Sequence, residues 1–575
     1  MKKRLLIFIL LFFPLFHINA NNNQKIISLD ENIYNYIDVL FSLENMNQPS
    51  NTRPWSINET QFLLNRIDLD KLNKTEKTLY NKIIKDFNRI KNVSQFDKNV
   101  NISFGLEVKP QLYLHTNEDY DLDDKWINSN AEDRSPLLNM DVNISYKDNF
   151  FYYMSLEYGT SRYFPLLNGE NELDYYNTNG SNDLGTSIVL LDGVDDSDIV
   201  VYYPKYDPYY SKIFATNISD KYRDTRLQGP FRNYISFGDD GFSFTFSKDK
   251  LNLGQSIVGN MVVDKHVDHF DYTNLSVFSD KFKFSWMNLF FDTQQTHLQL
   301  DLYDGFKILM LAKFEFNVTN NFTFNIMQGM MYHGDNFDIS YLNPSYYFHS
   351  LNNREIFNSI ASLNAIYNIN SGLKTYFQFV VDQLKLPNEL ESQEPSAIGA
   401  LLGLSQIIDL NNKILDIQAE VGFTSPQMYK RDYVDFIMYN KYYTNGNISN
   451  SDDLYYVFDF DYIGFPYGGD SLYGKIQANY YSLKDFNGEL SYLLLLRGPT
   501  AMFSAFPTAA DTTIFPISFE KIYNIINFKG SYEIEQKYFN KANLDFAIAL
   551  VNTFDTNLNQ NKFDAQFNLG LTIKL

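Results

Sequence analysis

From residue 101 to the C-terminus, apolar and polar residues alternate with a period of two. Phe306, Ile308, Met310, Ala312, Phe314, Phe316 and Val318 share one face of a strand-like segment, with Lys307, Lys313, Glu315 and Asn317 on the other. Phe563, Ala565, Phe567, Leu569, Leu571, Ile573 and Leu575 alternate in the same way with Asp564, Gln566, Asn568, Gly570, Thr572 and Lys574. Leu373, Thr375, Phe377, Phe379 and Val381 stand against Lys374, Gln378 and Asp382, and 102–114, 142–146 and 542–551 repeat the scheme. Successive side chains of a strand point to opposite faces, so each segment predicts a strand with one apolar and one polar face. Many run 9 to 15 residues, longer than usual in soluble sheets and long enough to cross a bilayer at a tilt.

The connections fall into two classes. Very short polar turns lie near 148–149, 238–241, 279–281, 318–321, 369–372, 410–413, 483–486 and 537–540. Long irregular, acidic or aromatic stretches lie at 115–138, 160–232, 292–304, 334–357, 383–396, 424–471, 498–521 and 553–561. Short turns at one end and long loops at the other is the plan of an outer-membrane barrel. Eight short turns join sixteen strands in pairs; the strand opening near 101 and the one closing at 575 make 18. Residues 257–263 and 454–461 also look strand-like, but either would break the parity, so both are placed in outer loops. A soluble sandwich or propeller would show shorter strands, and no blade-length repeat is present. The predicted fold is an all-β, transmembrane, antiparallel up-and-down barrel.

Before residue 101 the period is helical. Ser28-x-x-Glu31 and Ser56-x-x-Glu59 have capping-box spacing. Ile33, Ile37, Leu40 and Phe41 mark a first helix, Leu63 and Ile67 a second, and Leu79, Ile83 and Phe87 a third. Arg53-Pro54-Trp55 precedes the second, with the indole expected to seal the loop. So small a bundle needs the rest of the chain to pack against. Further upstream, Lys2-Lys3-Arg4, an apolar run from Leu5 to Phe16 and Ile18-Asn19-Ala20 read as a cleaved secretory signal. The expected organisation is a signal peptide over 1–20, a periplasmic bundle over 21–98 and the barrel over 99–575.

Composition fits this picture. The 575 residues include 50 Phe and 43 Tyr against 3 Trp, a bias toward residues that suit pleated surfaces. Mean hydropathy is only −0.31, and after the first 20 residues no apolar run reaches the length of a membrane helix. A barrel reconciles these facts if apolar rings face lipid and polar residues face the lumen; the aromatics are then expected in lipid-facing rows, interface girdles and outer loops. No cysteine is present, which excludes disulfides and thiolate chemistry. A net charge of −21 argues against nucleic acid as a partner. The acidic excess gathers in loops, at Glu118–Asp124 and Asp192–Asp198, without the spacing of a calcium loop.

Signals for catalysis are missing. There is no G-x-S-x-G, H-E-x-x-H or phosphate-binding glycine loop. His266 and His269 alone make an incomplete metal site. Neither an enzyme activity, a metal nor a cofactor is expected.

Three short motifs carry a family resemblance. Tyr341-Leu342-Asn343-Pro344-Ser345-Tyr346-Tyr347-Phe348 is followed, one strand later, by Tyr376-Phe377-Gln378-Phe379-Val380-Val381-Asp382-Gln383. Tyr462-Ile463-Gly464-Phe465-Pro466-Tyr467-Gly468-Gly469-Asp470 comes further on. Together they resemble the "LNP…F", "Y-x-Q-F-x-x-D-E" and "LG-x-P-x-G-x-D" stretches of the Wzi capsule-assembly family and its gliding-motility relatives. Gly254-Gln255-Ser256-Ile257-Val258-Gly259-Asn260 is similar to that family's Gly-rich loop, without its tryptophan. Gln383 stands where the family has an acidic residue, and the chain ends in Leu575 rather than an aromatic.

The resemblance implies an 18-strand barrel with a small N-terminal helical bundle, and a role in associating surface polysaccharide with the outer membrane of a diderm bacterium. Lipid and polysaccharide are then the partners, with exposed rings such as Trp126 stacking on sugars. Candidate site residues are Asn343, Pro344, Tyr376, Gln378, Asp382, Gly464, Pro466, Gly468 and Asp470. Asn343-Pro344 is expected to form a fixed turn. The loop at 464–469 is expected to fold over the lumen, and Lys374, Gln378 and Asp382 to pair with each other or with a loop. A porin-type diffusion channel and a surface adhesin are the alternatives.

Overall fold

The computed structural model describes residues 22–91, 99–117, 135–160, 188–191, 214–217, 225–228, 232–291, 305–334, 336–343, 356–383, 396–431, 434–445, 454–500, 502, 514–516, 518–534 and 539–575. Three helices come first: α1 (Ile33–Leu43), α2 (Ile57–Leu64) and α3 (Lys74–Lys91). A closed antiparallel barrel follows. Its strands are β1 (Val100–Val108, continued by Gln111–His115), β2 (Leu138–Tyr146), β3 (Phe150–Thr160), β4 (Asn233–Asp239, preceded by Thr225–Gln228), β5 (Phe242–Asp249) and β6 (Phe270–Phe278). Next come β7 (Phe282–Phe291), β8 (Phe306–Thr319), β9 (Phe322–Gly334), β10 (Phe357–Asn370), β11 (Leu373–Gln383) and β12 (Ala397–Asp409). The series ends with β13 (Ile414–Thr424), β14 (Ser471–Tyr481), β15 (Phe486–Arg497), β16 (Lys521–Glu533), β17 (Lys541–Asp555) and β18 (Gln560–Lys574). The barrel thus has the 18 strands that parity requires, and all eight short turns lie at one end. Lys109-Pro110 interrupts β1, because proline has no N–H for the ladder; β18 closes on both parts of the strand.

The segments that break parity resolve as expected in one sense only. Leu454–Tyr462 is a strand outside the barrel, paired with Ile437–Asn445. Residues 257–263 are not a strand but part of a loop buried in the lumen. The connection placed at 553–561 is shorter than anticipated: β17 and β18 pair out to Asp555↔Gln560, leaving a tight turn with Asn559 at φ 51°.

The outer surface is an apolar band. Leu402 and Val421 are direct neighbours on it and are 53% and 58% exposed, and Phe104, Phe246, Ile476, Leu490 and Phe563 extend it around the barrel. Such a surface is covered by lipid. One stretch departs from this. Ile308, Met310 and Ala312, read as lipid-facing, are buried on the outer wall with Met330, Tyr332 and Phe357, beneath Phe337, Tyr341 and Leu342 of the β9–β10 connection.

The inside contradicts the expectation of a purely polar lumen and of aromatics confined to lipid, girdles and outer loops. Met261, Val263, Met287, Leu289, Leu309, Leu311, Tyr376, Met428, Tyr429, Tyr462, Phe465, Tyr473, Leu495 and Tyr523 form one buried cluster within the barrel. Inward-facing wall positions and inserted loops pack there as in a globular core. Among the aromatics, phenylalanine prevails in the exposed band and tyrosine in the buried interior, where each hydroxyl needs a partner.

The helices pack as predicted, except that the second ends at Leu64 and Ile67 is buried beyond its end. Ile33, Ile37, Leu40, Phe41, Leu63, Leu79, Ile83 and Phe87 are buried, together with Ile407, Ile414, Tyr481 and Leu483 from the short-turn end of the barrel. Ser56 caps α2, its Oγ accepting from Glu59 N at 3.1 Å. The Ser28–Glu31 box does not cap α1: the helix starts after Asn32, and the Glu31 carboxylate is drawn instead to Arg89, Lys541 and Lys574. The reciprocal box lies at α3, where Asn73 Oδ1 accepts from Glu76 N and Glu76 Oε2 from Asn73 N, at 3.0 and 2.6 Å.

Candidate functional site

The bundle reaches nearly the whole short-turn rim. Asn58 Nδ2 donates to Asp239 O (2.7 Å), Phe62 packs edge-on against Phe278, and Ser371 Oγ donates to Leu43 O. Thr75 Oγ1 donates to Asp409 Oδ1 (2.8 Å), Asn487 Nδ2 to Tyr36 OH (2.8 Å), and Lys82 meets Glu533 (2.6 Å).

Residues 48–56 enter the lumen from that end. Trp55 is fully buried and donates from its indole to Ser50 O at 3.1 Å, which seals the loop as anticipated. Arg53 Nη2 donates to both oxygens of Asp38, at 2.6 and 2.7 Å, and the guanidinium stacks over the Trp55 ring. Ser50 and Thr52 both donate to Glu315 of β8, Lys313 to Asn51, and Lys283 of β7 to Glu59. Burial pushes the Glu59 carboxyl above its ordinary range, despite the attraction of Lys283.

A second insertion comes from the long-loop end. Residues 250–269, between β5 and β6, descend until Asn252–Leu253 pairs with Thr52–Arg53 as a two-residue sheet. The two insertions therefore touch inside the barrel. Asn260 and Asp264 shape the descending loop: Asp264 Oδ1 accepts from Asn260 N (2.8 Å) and Oδ2 from His266 N (3.0 Å). Burial opposes charge on Asp264, but its bonds to His266 and Asn260 outweigh it and hold the carboxyl below the usual range.

Most of the sequence-derived site residues hold this loop. Gln378 Oε1 accepts from Met261 N at 3.0 Å and Asp382 Oδ2 from Tyr429 N at 2.6 Å, while Lys374 donates to Gln48 Oε1 at 3.5 Å. Gln378 and Lys374 meet the two insertions and Asp382 the segment that follows β13, rather than each other. Tyr429 donates its hydroxyl to Met261 O (2.7 Å) and accepts from Phe465 N (3.0 Å). The loop at 464–469 folds inward as expected. Gly464 lies so close to Met261 O and the Tyr429 hydroxyl that any Cβ would collide, and Pro466 packs on Gly259. Gly468 adopts φ 72° under the Tyr462 ring, a geometry that favours glycine. Asp470 ends the loop, buried, with Oδ2 accepting from Thr500 N at 3.1 Å; burial raises its pKa above the ordinary carboxyl range.

The strongest anchor escaped sequence reading. Tyr376 and Tyr473 lie across Gly403 and Gly422 on neighbouring strands, where only a hydrogen leaves room for a ring. Both donate to Glu420 of β13, at 2.7 and 2.9 Å, as do Ser256 Oγ (2.7 Å) and Ile257 N (3.0 Å). One buried carboxylate thus receives two donors from the wall and two from the loop. In the sequence Glu420 is merely a polar position of an alternating strand, and only the register places it between two tyrosines.

Other candidates lie elsewhere. Asn343 is exposed on the outer wall, closing the short helical turn Ile339–Leu342 through its N–H to Ser340 O at 3.1 Å. Pro344, Trp126 and the acidic clusters at 118–124 and 192–198 lie outside the described residues. His266 Nδ1 sits 3.0 Å from Asp264, and among the described residues no group of three His, Asp or Glu converges as a metal site.

No family model and no curated relative matches this chain. Among solved structures it is similar to Wzi, an outer-membrane protein of Escherichia coli involved in group 1 capsule assembly and described as a carbohydrate-binding β-barrel. The TM-score is 0.56 at 10% identity, covering 95% of this chain and 99% of that one. At this identity the likeness concerns the fold, which it matches almost end to end. OpdQ and the outer membrane protein OprD, both of Pseudomonas aeruginosa, align over 82% of the chain at 9% and 8% identity, with TM-scores of only 0.38 and 0.37. Nothing in these comparisons supports a link to gliding motility.

Proposed function

We propose that the protein is exported to the outer membrane of a diderm bacterium, where it associates surface polysaccharide with the membrane without covalent chemistry. In this reading residues 1–20 are a cleaved signal, 21–98 a periplasmic bundle and 99–575 the barrel. Membrane lipid covers the apolar band, and the long loops face outward toward the polymer. The observation that carries the reading is the lumen itself, filled from both ends by insertions that meet at Thr52–Leu253 and are tied to the wall through Glu315, Glu420 and Gln378. A barrel built for solute diffusion leaves an aqueous channel; a filled one makes a rigid platform for its outer loops. The likeness to a carbohydrate-binding barrel agrees with this.

The test is a strain lacking the protein. Polysaccharide is expected to shift from the cell-bound to the medium fraction, with total synthesis unchanged, and to return on complementation. Unchanged retention contradicts the reading.

A further inference from the structure

The short-turn rim holds the bundle by two kinds of contact. From β3 round to β14 it is mainly apolar packing and insertion. Ile26 packs against Phe151 and Tyr234, Phe62 against Phe278, and Ile407, Ile414, Tyr481 and Leu483 join the apolar core of the bundle. Residues 48–56 enter the lumen on this side, against β7, β8 and β11. Of the ion pairs that tie the bundle here, Lys283–Glu59 is buried and Lys250–Asp30 is 3.4 Å long. From β16 to β18, among the described residues, no wall residue joins the bundle core and ion pairs take over. Lys82 and Lys85 reach Glu533 of β16 at 2.6 and 3.6 Å. Glu31, held by Arg89, meets Lys541 of β17 and Lys574 of β18, both at 3.6 Å. These groups touch water: the side chains of Lys85, Lys574 and Glu533 are 61%, 40% and 23% exposed.

The register places a polar pocket directly above this clasp. Tyr523 and Ile525 of β16, with Ala549 and Val551 of β17, point inward into the apolar cluster that fills the barrel. Glu533 and Lys541 end the same inward rows at the clasp. Between them stand Lys529, Ser531, Asn543 and Asp545, with Asn568 and Thr572 of β18 alongside. Lys529 is exposed, without an ion pair within 4.0 Å among the described residues, and the other five are half-buried. Inward polar residues of the opposite wall, Thr323, Asn325, Asn364, Asn368 and Ser405, are at most 3% exposed. Solvent therefore occupies the lumen between the clasp and the apolar cluster.

We propose that the bundle is a hinged lid, fixed along β3–β14 and clasped along β16–β18, and that release of the clasp admits small hydrophilic molecules to the pocket above it. Water-exposed ion pairs contribute little each and weaken with salt, whereas buried apolar packing does not. The rim therefore parts first along β16–β18. The inserted segments and the apolar cluster stay in place, so the open lid exposes a pocket and not a channel. That side is the periplasm under the proposed function, and the hinge itself is independent of it.

The chain has no cysteine, so a single introduced thiol reports its surroundings without background. Lys529→Cys places one in the pocket, and Thr75→Cys one on the fixed side, where Thr75 is buried and donates to Asp409. The experiment uses the purified full chain in detergent micelles, its folding verified by heat-dependent gel mobility, and follows modification by a small neutral maleimide. For Lys529→Cys the rate is expected to rise about fivefold from about 0.1 M to about 1 M sodium chloride, as the screening length falls from about 10 Å to about 3 Å. Adding Glu31→Gln and Glu533→Gln is expected to give the fast rate already at low salt, while Thr75→Cys stays slow throughout. Ser531→Cys and Ile414→Cys report on the same two sides if either variant fails to fold. A pocket rate indifferent to salt or to the clasp variants would overturn the proposal, because no lid then controls access. Equal acceleration of both reporters would also overturn it, because the bundle then leaves as a whole. The rates are measured on purified protein, so their failure is separate from any result on polysaccharide retention.

Discussion

The wall formed by β7–β13 and the wall formed by β14–β17 enclose one lumen but have different interiors. Against the first, two inserted segments pack so closely that its inward lysines and carboxylates are buried and hydrogen-bonded. The lower half of the second faces solvent, and Lys529 has no such partner among the described residues. Both walls obey the same alternation of inward and outward residues. Alternation therefore decides which side chains enter a barrel, while the segments inserted into the lumen decide whether they meet apolar atoms, a counter-charge or water.

The largest effect is expected at the anchor of the filled side. Glu420→Ala leaves the hydroxyls of Tyr376, Tyr473 and Ser256 and the Ile257 N–H without their acceptor, at a cost of about 3–5 kcal/mol to docking of the descending loop. Limited proteolysis within 250–269 should then become fast, while Glu420→Gln, which keeps an acceptor oxygen, should lose much less. Equal protection in wild type and Glu420→Ala would remove the distinction between the two walls.

The outward face offers the next test. Leu402→Arg places a charge in the middle of the apolar band and should cost about 2–4 kcal/mol in reversible unfolding from vesicles. A neutral result would mean that lipid does not cover this surface.

A pH effect should follow at the rim. Burial opposes ionisation of Glu31, but Lys541, Lys574 and Arg89 outweigh it and lower its pKa from the ordinary 4.5 to about 2. A carboxyl with a depressed folded-state pKa contributes stability that is complete above about 4.5 and is lost as the pH falls through about 2. With allowance for its partial exposure, about 2–3 kcal/mol of bundle docking should disappear over that window, and Glu31→Gln should flatten the loss. An identical acid profile in Glu31→Gln would show that another group governs it.

The smallest effect concerns local helix structure. Ser56→Ala removes the cap of α2 and should cost about 1 kcal/mol, visible as a small drop in thermal midpoint without a change in loop protection.

Much of the barrel was legible because strand period, turn length and parity are local properties. The eight short turns, the strand opening near 101 and the three helices needed nothing beyond the pattern along the chain. The lumen is different, because its contents are set by contacts far apart in sequence. Gln378, Asp382, Gly464 and Gly468 were identifiable as motif residues, but only the folded chain brings them to Met261 and Tyr429. Glu420 carries no local signal, since its four donors come from β11, β14 and a loop more than 160 residues upstream. Ser28-x-x-Glu31 shows the converse: it matches a cap by spacing, yet three distant cations compete for its glutamate. Ile308, Met310 and Ala312 had the pattern of lipid-facing residues, and no periodicity reveals that a connecting segment covers them.

The central claim is that the two insertions, the descending one held at Glu420 and the two joined at Thr52–Leu253, close the barrel. Single-channel recording of the full chain in planar bilayers addresses it directly. The account predicts no sustained large conductance for the wild type, and frequent large openings for Glu420→Ala. A steady, large current through the wild-type protein would contradict it.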